Sequence, residues 1–420
     1  MSKLYKSAIC YGRWRFALKN RRKIWLQVHL WIGLALGAVL AITGITGSIL
    51  VFPHEIDELL NPSLMTVPPD ERGPAAYRSI DEIAASAQAA LPTGSKFGFA
   101  YYPRNDAVAF HFRADVPVKE QADLAWEHRD VFVNPYDATV IGSRVTQVNG
   151  WSSFLPRTFI GFVFKLHYAL LLPGIGGTVV GICAALLCFS LLTGLILWWP
   201  LDGKWKRVLS IKRGASGVRF NHDLHQSIGF YTLPVIFALL FSGIYFVLPT
   251  QFMALLHVFS PDAVRRYEVA PMPRADEALI GLESALKVMQ TNFPDARPSW
   301  IYLPNTQKPR YMICQQEGAR TNSNFIDRRC TVLDGYSGAV MHVEEAGIGT
   351  AGDTFIAWQW PLHSGYAFGW TGRILVLICG LLCPVVFVTG VIRWLQKRRA
   401  RQLTSQRSAV RQENHTENDS

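Results

Sequence analysis

Four of the eleven histidines fall into two pairs at one spacing. His225 follows His29 by 196 positions, and His363 follows His167 by the same 196; no other two histidines share that separation. His29 and His225 each open a His-x-x-x-Gly motif ending at Gly33 and Gly229, and His167 and His363 each follow a leucine. All four lie in or beside long apolar stretches, where a titratable group is costly and ordinarily faces a partner. Two imidazoles on facing helices can supply both axial ligands of one haem iron, and helix bundles house such sites in their cores. Glycine near a ligand histidine leaves room for a flat macrocycle. Gly33, Gly229, Gly44, Gly47, Gly243, Gly194 and Gly390 are placed for that, or for close helix packing through small residues. His222 lies three residues before His225, so both can face one side; its counterpart is Leu26, which makes it the weaker ligand candidate. Arg373 is the strong charge in the last apolar segment, free to pair with a haem propionate or to snorkel to the interface. A single interfacial histidine is commonly structural; two pairs at one spacing favour a ligand role.

The elements that must position these residues are membrane helices. Half of the 420 residues are hydrophobic and only 17% are charged, low for a soluble chain. The segments 25–52, 168–201, 227–256 and 374–392 contain no Asp, Glu, Lys or Arg, and each meets the length of about 17–25 residues that a spanning helix needs. The first is too long for a signal-peptide core and reads as an uncleaved anchor. A net charge of +11 could suggest nucleic acid. Its placement excludes that partner: residues 1–24 hold eight basic groups and no acid, 201–221 hold six and one, and 393–420 hold seven and three. Basic clusters beside apolar runs mark cytoplasmic segments. The expected order is a basic N-terminus (1–24), helices over 25–53, 163–200, 222–249 and 358–396, a cytoplasmic loop over 201–221, a cytoplasmic tail (397–420), and two external domains over 54–162 and 250–357.

The spacing of 196 also relates the helices. Thr46-Gly47-Ser48-Ile49-Leu50-Val51-Phe52-Pro53 matches Ser242-Gly243-Ile244-Tyr245-Phe246-Val247-Leu248-Pro249, and Thr193-Gly194-Leu195-Ile196 matches Thr389-Gly390-Val391-Ile392. The expectation is an internal tandem duplication, with both copies parallel about an axis along the membrane normal. That symmetry puts His29 and His225 at one depth and His167 and His363 at the other face. Outside the helices, 134–140 (Asn-Pro-Tyr-Asp-Ala-Thr-Val) resembles 334–340, and each follows an alternating apolar run, as a strand entering a tight turn would. Helical-period segments over 81–90 and 276–289 precede them. The fold class expected is a membrane four-helix bundle with two small α+β domains.

At His29-x-x-x-Gly33, Asp223-Leu224-His225-Gln226-x-x-Gly229, Leu166-His167, Leu362-His363 and the two Thr-Gly-x-Ile helix ends, the chain resembles the PepSY-associated transmembrane family, iron-regulated inner-membrane proteins that include ferrisiderophore reductases. The turn at 134–140 looks like that family's PepSY-type strand and turn. The resemblance runs from about residue 22 to 400. It implies two b-type haems, each held by two histidines, and electrons crossing the membrane to reduce a ferric siderophore in the periplasm. No stretch is left for a flavin reductase domain, so a separate donor is expected, a quinol or a cytoplasmic reductase. Fold alone does not fix a substrate. Two rivals stand beside the reductase: a non-enzymatic PepSY scaffold or regulator, and a siderophore transporter, against which the scarcity of polar residues in the apolar helices counts.

Other chemistry is poorly represented. Gly174-x-Gly176-Gly177-x-x-x-Gly181 has the wrong spacing for a dinucleotide loop and opens a membrane helix. Cys183, Cys188, Cys379 and Cys383 lie in apolar helices. Cys314 and Cys330 lie in an external segment where an oxidising compartment allows a disulfide, and the sequence leaves their pairing open. Trp151, Trp358, Trp360 and Tyr366 lie near His167 and His363, where a chelate would dock, but serve equally as interface anchors.

Overall fold

A computed structural model describes residues 2–117, 126–148, 155–274, 276–294, 296–305, 307–317 and 328–418; Trp151 lies outside them. The helices are α1 (Ser2–Ile49), α2 (Pro53–Leu60), α3 (Pro62–Met65), α4 (Ile80–Ala89), α5 (Phe159–Ala169), α6 (Gly176–Trp198), α7 (Trp205–Leu209), α8 (Gly217–Val247), α9 (Pro249–Leu256), α10 (Leu282–Asn292), α11 (Ala351–Ser364) and α12 (Gly369–Asn418). The strands are β1 (Lys96–Tyr101), β2 (Phe110–Pro117), β3 (Trp126–Val133), β4 (Val140–Val148), β5 (Ala296–Tyr302), β6 (Arg310–Glu317), β7 (Arg328–Asp334) and β8 (Val340–Glu344). Two compact units result: Met1–Ser48, Gly177–Val247 and Leu375–Ser420 form one; Ile49–Gly176 and Leu248–Ile374 form the other.

The first unit is helical. Arg22–Ile49, Gly176–Trp198, Gly217–Val247 and Tyr366–Ser408 are each long and apolar enough to cross a membrane. Uncharged runs make them so: with no water in the bilayer core, backbone N–H and C=O groups must bond within the helix. The helices meet through small residues. A methyl group added at Gly380 would lie 2.2 Å from Ser48 Oγ, and one at Gly44 would lie 2.6 Å from Cys383 Cβ, so α1 and α12 approach with little between them. Ser48 Oγ donates across that contact to the Leu377 carbonyl at 2.9 Å. Buried Ile236, Cys379 and Cys383 pack with Leu40 and Leu191, which brings α1, α6, α8 and α12 into one cluster.

The second unit is built on an antiparallel sheet of eight strands in the order β4-β3-β2-β1-β5-β6-β7-β8. In β2, burial alternates: Phe110, Phe112, Ala114 and Val116 are buried and their neighbours less so, the period-2 pattern of a sheet with one face on a core. That face packs under α4 and α10, with Ile83, Ala87, Ala285, Met289, Phe112, Val131, Ile313 and Leu333 at its centre. Ser79 caps α4 by accepting from the Glu82 N–H at 3.2 Å. The matching turns at 134–140 and 334–340 are both present. Asn134 N–H donates to the Thr139 carbonyl and Asp334 N–H to the Ala339 carbonyl, each at 2.9 Å.

Three expectations are corrected. The two α+β domains expected to be separate share one sheet: β1 pairs with β5, Ala100 opposite Ile301, so neither half is left with an exposed edge there. The helix expected from Asp276 begins at Leu282 after an N-cap at Gly281; residue 280 is held outside it by a hydrogen bond from its N–H to the Gly335 carbonyl. The apolar segments 163–200 and 358–396 are each broken. α5 ends at Ala169 with Leu170 in the left-handed region, and Pro173 and Gly174 precede α6. α11 ends at Ser364 with Gly365 as its left-handed cap at φ 82°, the conformation glycine adopts without penalty. His167 and His363 therefore sit in short helices preceding the spanning ones.

Candidate functional site: two histidine pairs

His29 lies in α1 and His225 in α8, and their ring centroids are 6.4 Å apart with the planes at 73°. Each ring is oriented by the helix beside it. The His29 Nδ1 is 2.9 Å from the Ser190 carbonyl and 3.3 Å from Thr193 Oγ1. The His225 Nδ1 is 3.0 Å from the Val386 carbonyl and 3.0 Å from Thr389 Oγ1. A carbonyl can only accept, so Nδ1 carries the proton in both rings and Nε2 presents its lone pair. A ligand histidine is ordinarily held this way, with its other N–H fixed by a second partner. The threonine hydroxyls donate to the same turns of backbone, Thr193 to the Ser190 carbonyl at 2.7 Å and Thr389 to the Val386 carbonyl at 3.0 Å, leaving a lone pair for each imidazole N–H.

Glycine makes these contacts possible. A methyl group at Gly194 would lie 3.0 Å from the His29 ring, and one at Gly390 would lie 3.3 Å from the His225 ring. These two make room for the imidazoles, and Gly44 makes room for α12. Gly33 and Gly229, one turn beyond each histidine, are different: a methyl there would meet no atom within 4 Å.

His167 in α5 and His363 in α11 form the second pair, with ring centroids 6.0 Å apart and planes at 66°. Both helices start on designed-in caps. Thr158 accepts from the Gly161 N–H at 3.1 Å. Thr350 and Asp353 form a reciprocal capping box at the start of α11.

These spacings have a chemical meaning. A histidine nitrogen binds a metal at about 2.0–2.1 Å and the ring centre lies ~1.1 Å behind it, so two imidazoles on opposite sides of one metal have centroids about 6.3 Å apart. Both observed distances fit one metal between two rings. Two imidazoles leave four positions of an octahedral ion to fill, and among the described residues no group of three or more His, Cys, Asp or Glu is placed to hold a metal. The donor set fits a macrocycle that brings its own four nitrogens, as haem does.

A family model described as the PepSY-associated TM region matches residues 26–397. The chain belongs to this family. Comparison with curated proteins gives no match. All four paired histidines of this PepSY-associated TM protein lie inside the matched region.

The remaining candidates are arranged otherwise. His222 has a side chain 42% exposed and sits 3.4 Å from the buried Asp223, which Arg219 also engages at 2.7 Å; it belongs to this charged cluster. Arg373 is buried and committed. Its Nη2 donates to the Val51 carbonyl at 2.8 Å and to Glu55 at 2.7 Å, and its guanidinium lies over the rings of Phe52, Tyr366 and Trp370. The carboxylate that Arg373 meets in this structure is that of Glu55, and the Arg373 Nε is buried without a partner. Of the aromatics, Trp360 is 43% exposed and Tyr366 38%; Arg328 lies over the Trp360 ring at 5.0 Å. Cys314 and Cys330 are directly opposed on β6 and β7 and joined as a disulfide.

The sequence reading missed Ser190 and Val386, whose carbonyls orient the rings, and the ring-side role of Thr193 and Thr389. The signal was present: 190 and 386, like 193 and 389, are 196 apart. It also missed a charged cluster on the sheet face opposite α4 and α10. Asp130 is fully buried, with His111 at 3.0 Å, Arg113 at 2.8 Å and Arg144 at 3.4 Å, and Arg144 reaches Asp57 at 2.6 Å. Burial would raise the Asp130 carboxyl, but His111 and Arg113 hold it well below the usual carboxylate range. Burial, reinforced by Arg104, pushes nearby His54 down to about 4.

Proposed function

We propose that this protein is a transmembrane electron-transfer protein with two haem b groups, one between His29 and His225 and one between His167 and His363, that reduces a ferric siderophore outside the membrane and so releases Fe(II) for uptake. The observation that carries the reading is the spacing of the two imidazole pairs, 6.4 and 6.0 Å between centroids, each fitting one six-coordinate iron. Bound there, haem would supply one-electron transfer at two points along the path from donor to chelate.

The chain's own residues have the complementary tasks. His29, His225, His167 and His363 each offer one nitrogen. The carbonyls of Ser190 and Val386 hold the first pair in the tautomer that leaves Nε2 free. The open flank beside Gly33 and Gly229 gives a flat ring room to enter. Were two histidines to hold each iron, no position on it would be left for substrate, so a chelate would dock at the surface near His167 and His363, where Trp360 and Tyr366 are exposed. The electron donor is a separate molecule, a quinol or a cytoplasmic reductase.

The same reading takes the chain as a four-helix bundle formed by tandem duplication. It is supported by the recurrence of the ring contacts 196 positions on, Ser190 and Thr193 against Val386 and Thr389. The basic clusters in 1–24, 201–221 and 393–420 favour an inner-membrane protein with both termini in the cytoplasm.

The test is vectorial reduction. The purified chain is placed in liposomes with a reduced donor inside and a ferric trihydroxamate chelate outside, with a chromogenic Fe(II) trap in the outer buffer. Donor-dependent Fe(II) that disappears in His363→Ala supports the reading. Fe(II) formation equal in wild type and variant refutes it.

A further inference from the structure

We propose that Gly176 and Gly372 are positioning residues for His167 and His363, a role that rests on those histidines ligating one haem. Each glycine is at the same place in its half, 196 positions from the other. Gly176 opens α6, and a methyl group there would lie 2.1 Å from the Ala169 carbonyl oxygen. Gly372 lies in the first turn of α12, and a methyl there would lie 2.2 Å from the Gly365 carbonyl oxygen. Ala169 and Gly365 each stand two residues after the histidine of their half, at the end of the helix that carries it. The obstacle in both is a backbone oxygen, which no rotamer change can move. Any side chain at 176 or 372 must push back the last turn of α5 or α11, and the imidazole with it.

The connections differ while the contact stays the same. After His167 the chain turns through Leu170 and Leu171, both left-handed at φ 50° and 58°, a conformation unfavourable for a residue with a Cβ. After His363 it turns through Gly365 at φ 82° and a short 3-10 turn, Tyr366–Phe368. Arg373, next to Gly372, is fixed by Glu55 and Val51, so the second contact cannot slide. Two different turns converge on one glycine-to-carbonyl contact. Strained backbone persists where the surroundings over-determine it, most often at functional sites. The common product here is the separation of the two rings.

The experiment uses the full chain in detergent. Gly176→Ala and Gly372→Ala are compared with wild type and with Gly98→Ala, where a methyl meets nothing within 4 Å. The readouts are haem content, low-spin and high-spin bands, and carbon monoxide binding by the reduced protein. Each of the two variants should convert one haem to a five-coordinate, carbon monoxide-binding form and leave the other low-spin, with Gly98→Ala unchanged. The Gly176→Ala change is repeated with Leu170→Gly and Leu171→Gly, which loosens the turn and should restore the low-spin form; this background also serves if the single variant does not accumulate. Two unperturbed low-spin haems in both glycine variants, or equal damage to both haems without rescue, overturns the proposal. A wild-type protein that binds no haem defeats the underlying ligand reading instead.

Discussion

His29 and His225 face each other with ring centroids 6.4 Å apart, each anchored through Nδ1 to a carbonyl on a neighbouring helix. Rings fixed in this way would be pre-organised for ligation, with tautomer and direction set before a metal arrived. The pair has its likeness in His167 and His363, with ring centroids 6.0 Å apart.

His225→Ala should therefore remove one haem and leave the second, and His363→Ala should do the converse. His222→Ala should leave both, since its ring belongs to the Asp223 cluster. Haem per chain after purification checks this, and loss of both haems in either ligand variant would count against separate sites.

Thr389→Val should weaken binding at the first pair by about 10-fold, the low end for loss of an outer partner. The Val386 carbonyl still holds the His225 N–H at 3.0 Å, so binding should survive. Haem transfer to excess apomyoglobin measures the change, and a variant indistinguishable from wild type would deny the hydroxyl any part in orienting the ring.

Asp130→Asn should destabilise the sheet unit by about 1–3 kcal/mol, less than the cost of stranding a fully buried charge, because Arg113 reaches solvent and Arg144 keeps Asp57. Asp130 is 0% exposed; in the variant Arg113 loses its counter-charge, while Arg144 loses its contact at 3.4 Å and keeps Asp57 at 2.6 Å. Thermal unfolding in detergent measures it; an unchanged midpoint would mean that Arg144 is fully served by Asp57.

Acid should weaken the same unit before it reaches the carboxylates. His54 is lowered from 6.5 to about 4 by burial and then by Arg104, so the folded protein binds fewer protons there than the unfolded chain. Its contribution is fully present above pH 6.5 and is lost as pH falls towards 4, on the order of 3 kcal/mol in all. Unfolding midpoints between pH 7 and 4 should fall less steeply in His54→Phe than in wild type, and parallel slopes would contradict the assignment.

Reducing the Cys314–Cys330 link should cost about 3 kcal/mol, the chain-entropy value for a loop of this size, given the separation of 16 residues. Cys314→Ser with Cys330→Ser should lower the unfolding midpoint while keeping the haem content of wild type.

Much of this was legible because the chain states its pattern twice. Uncharged runs gave away the spanning helices, and one spacing selected four histidines out of eleven. The orienting groups were harder to see because half of them are backbone carbonyls, which carry no residue signature. The breaks after His167 and His363 were hidden by composition: Leu170 and Leu171 read as apolar helix, and nothing in their type announces φ above zero. The single sheet was hidden because edge pairing of β1 with β5 depends on two strands far apart in sequence. Nothing in the residue types of Asp130 and Arg113 marks a buried cluster; Asp130 lies beneath Arg144, which reaches Asp57 of α2.

The most direct test of the central claim is haem stoichiometry in the purified chain, by pyridine haemochromogen assay with spectra of the oxidised and dithionite-reduced protein. Two b-type haems per chain, both low-spin and six-coordinate, are predicted. A colourless protein, or one carrying less than one haem per chain after expression with ample haem, would contradict it.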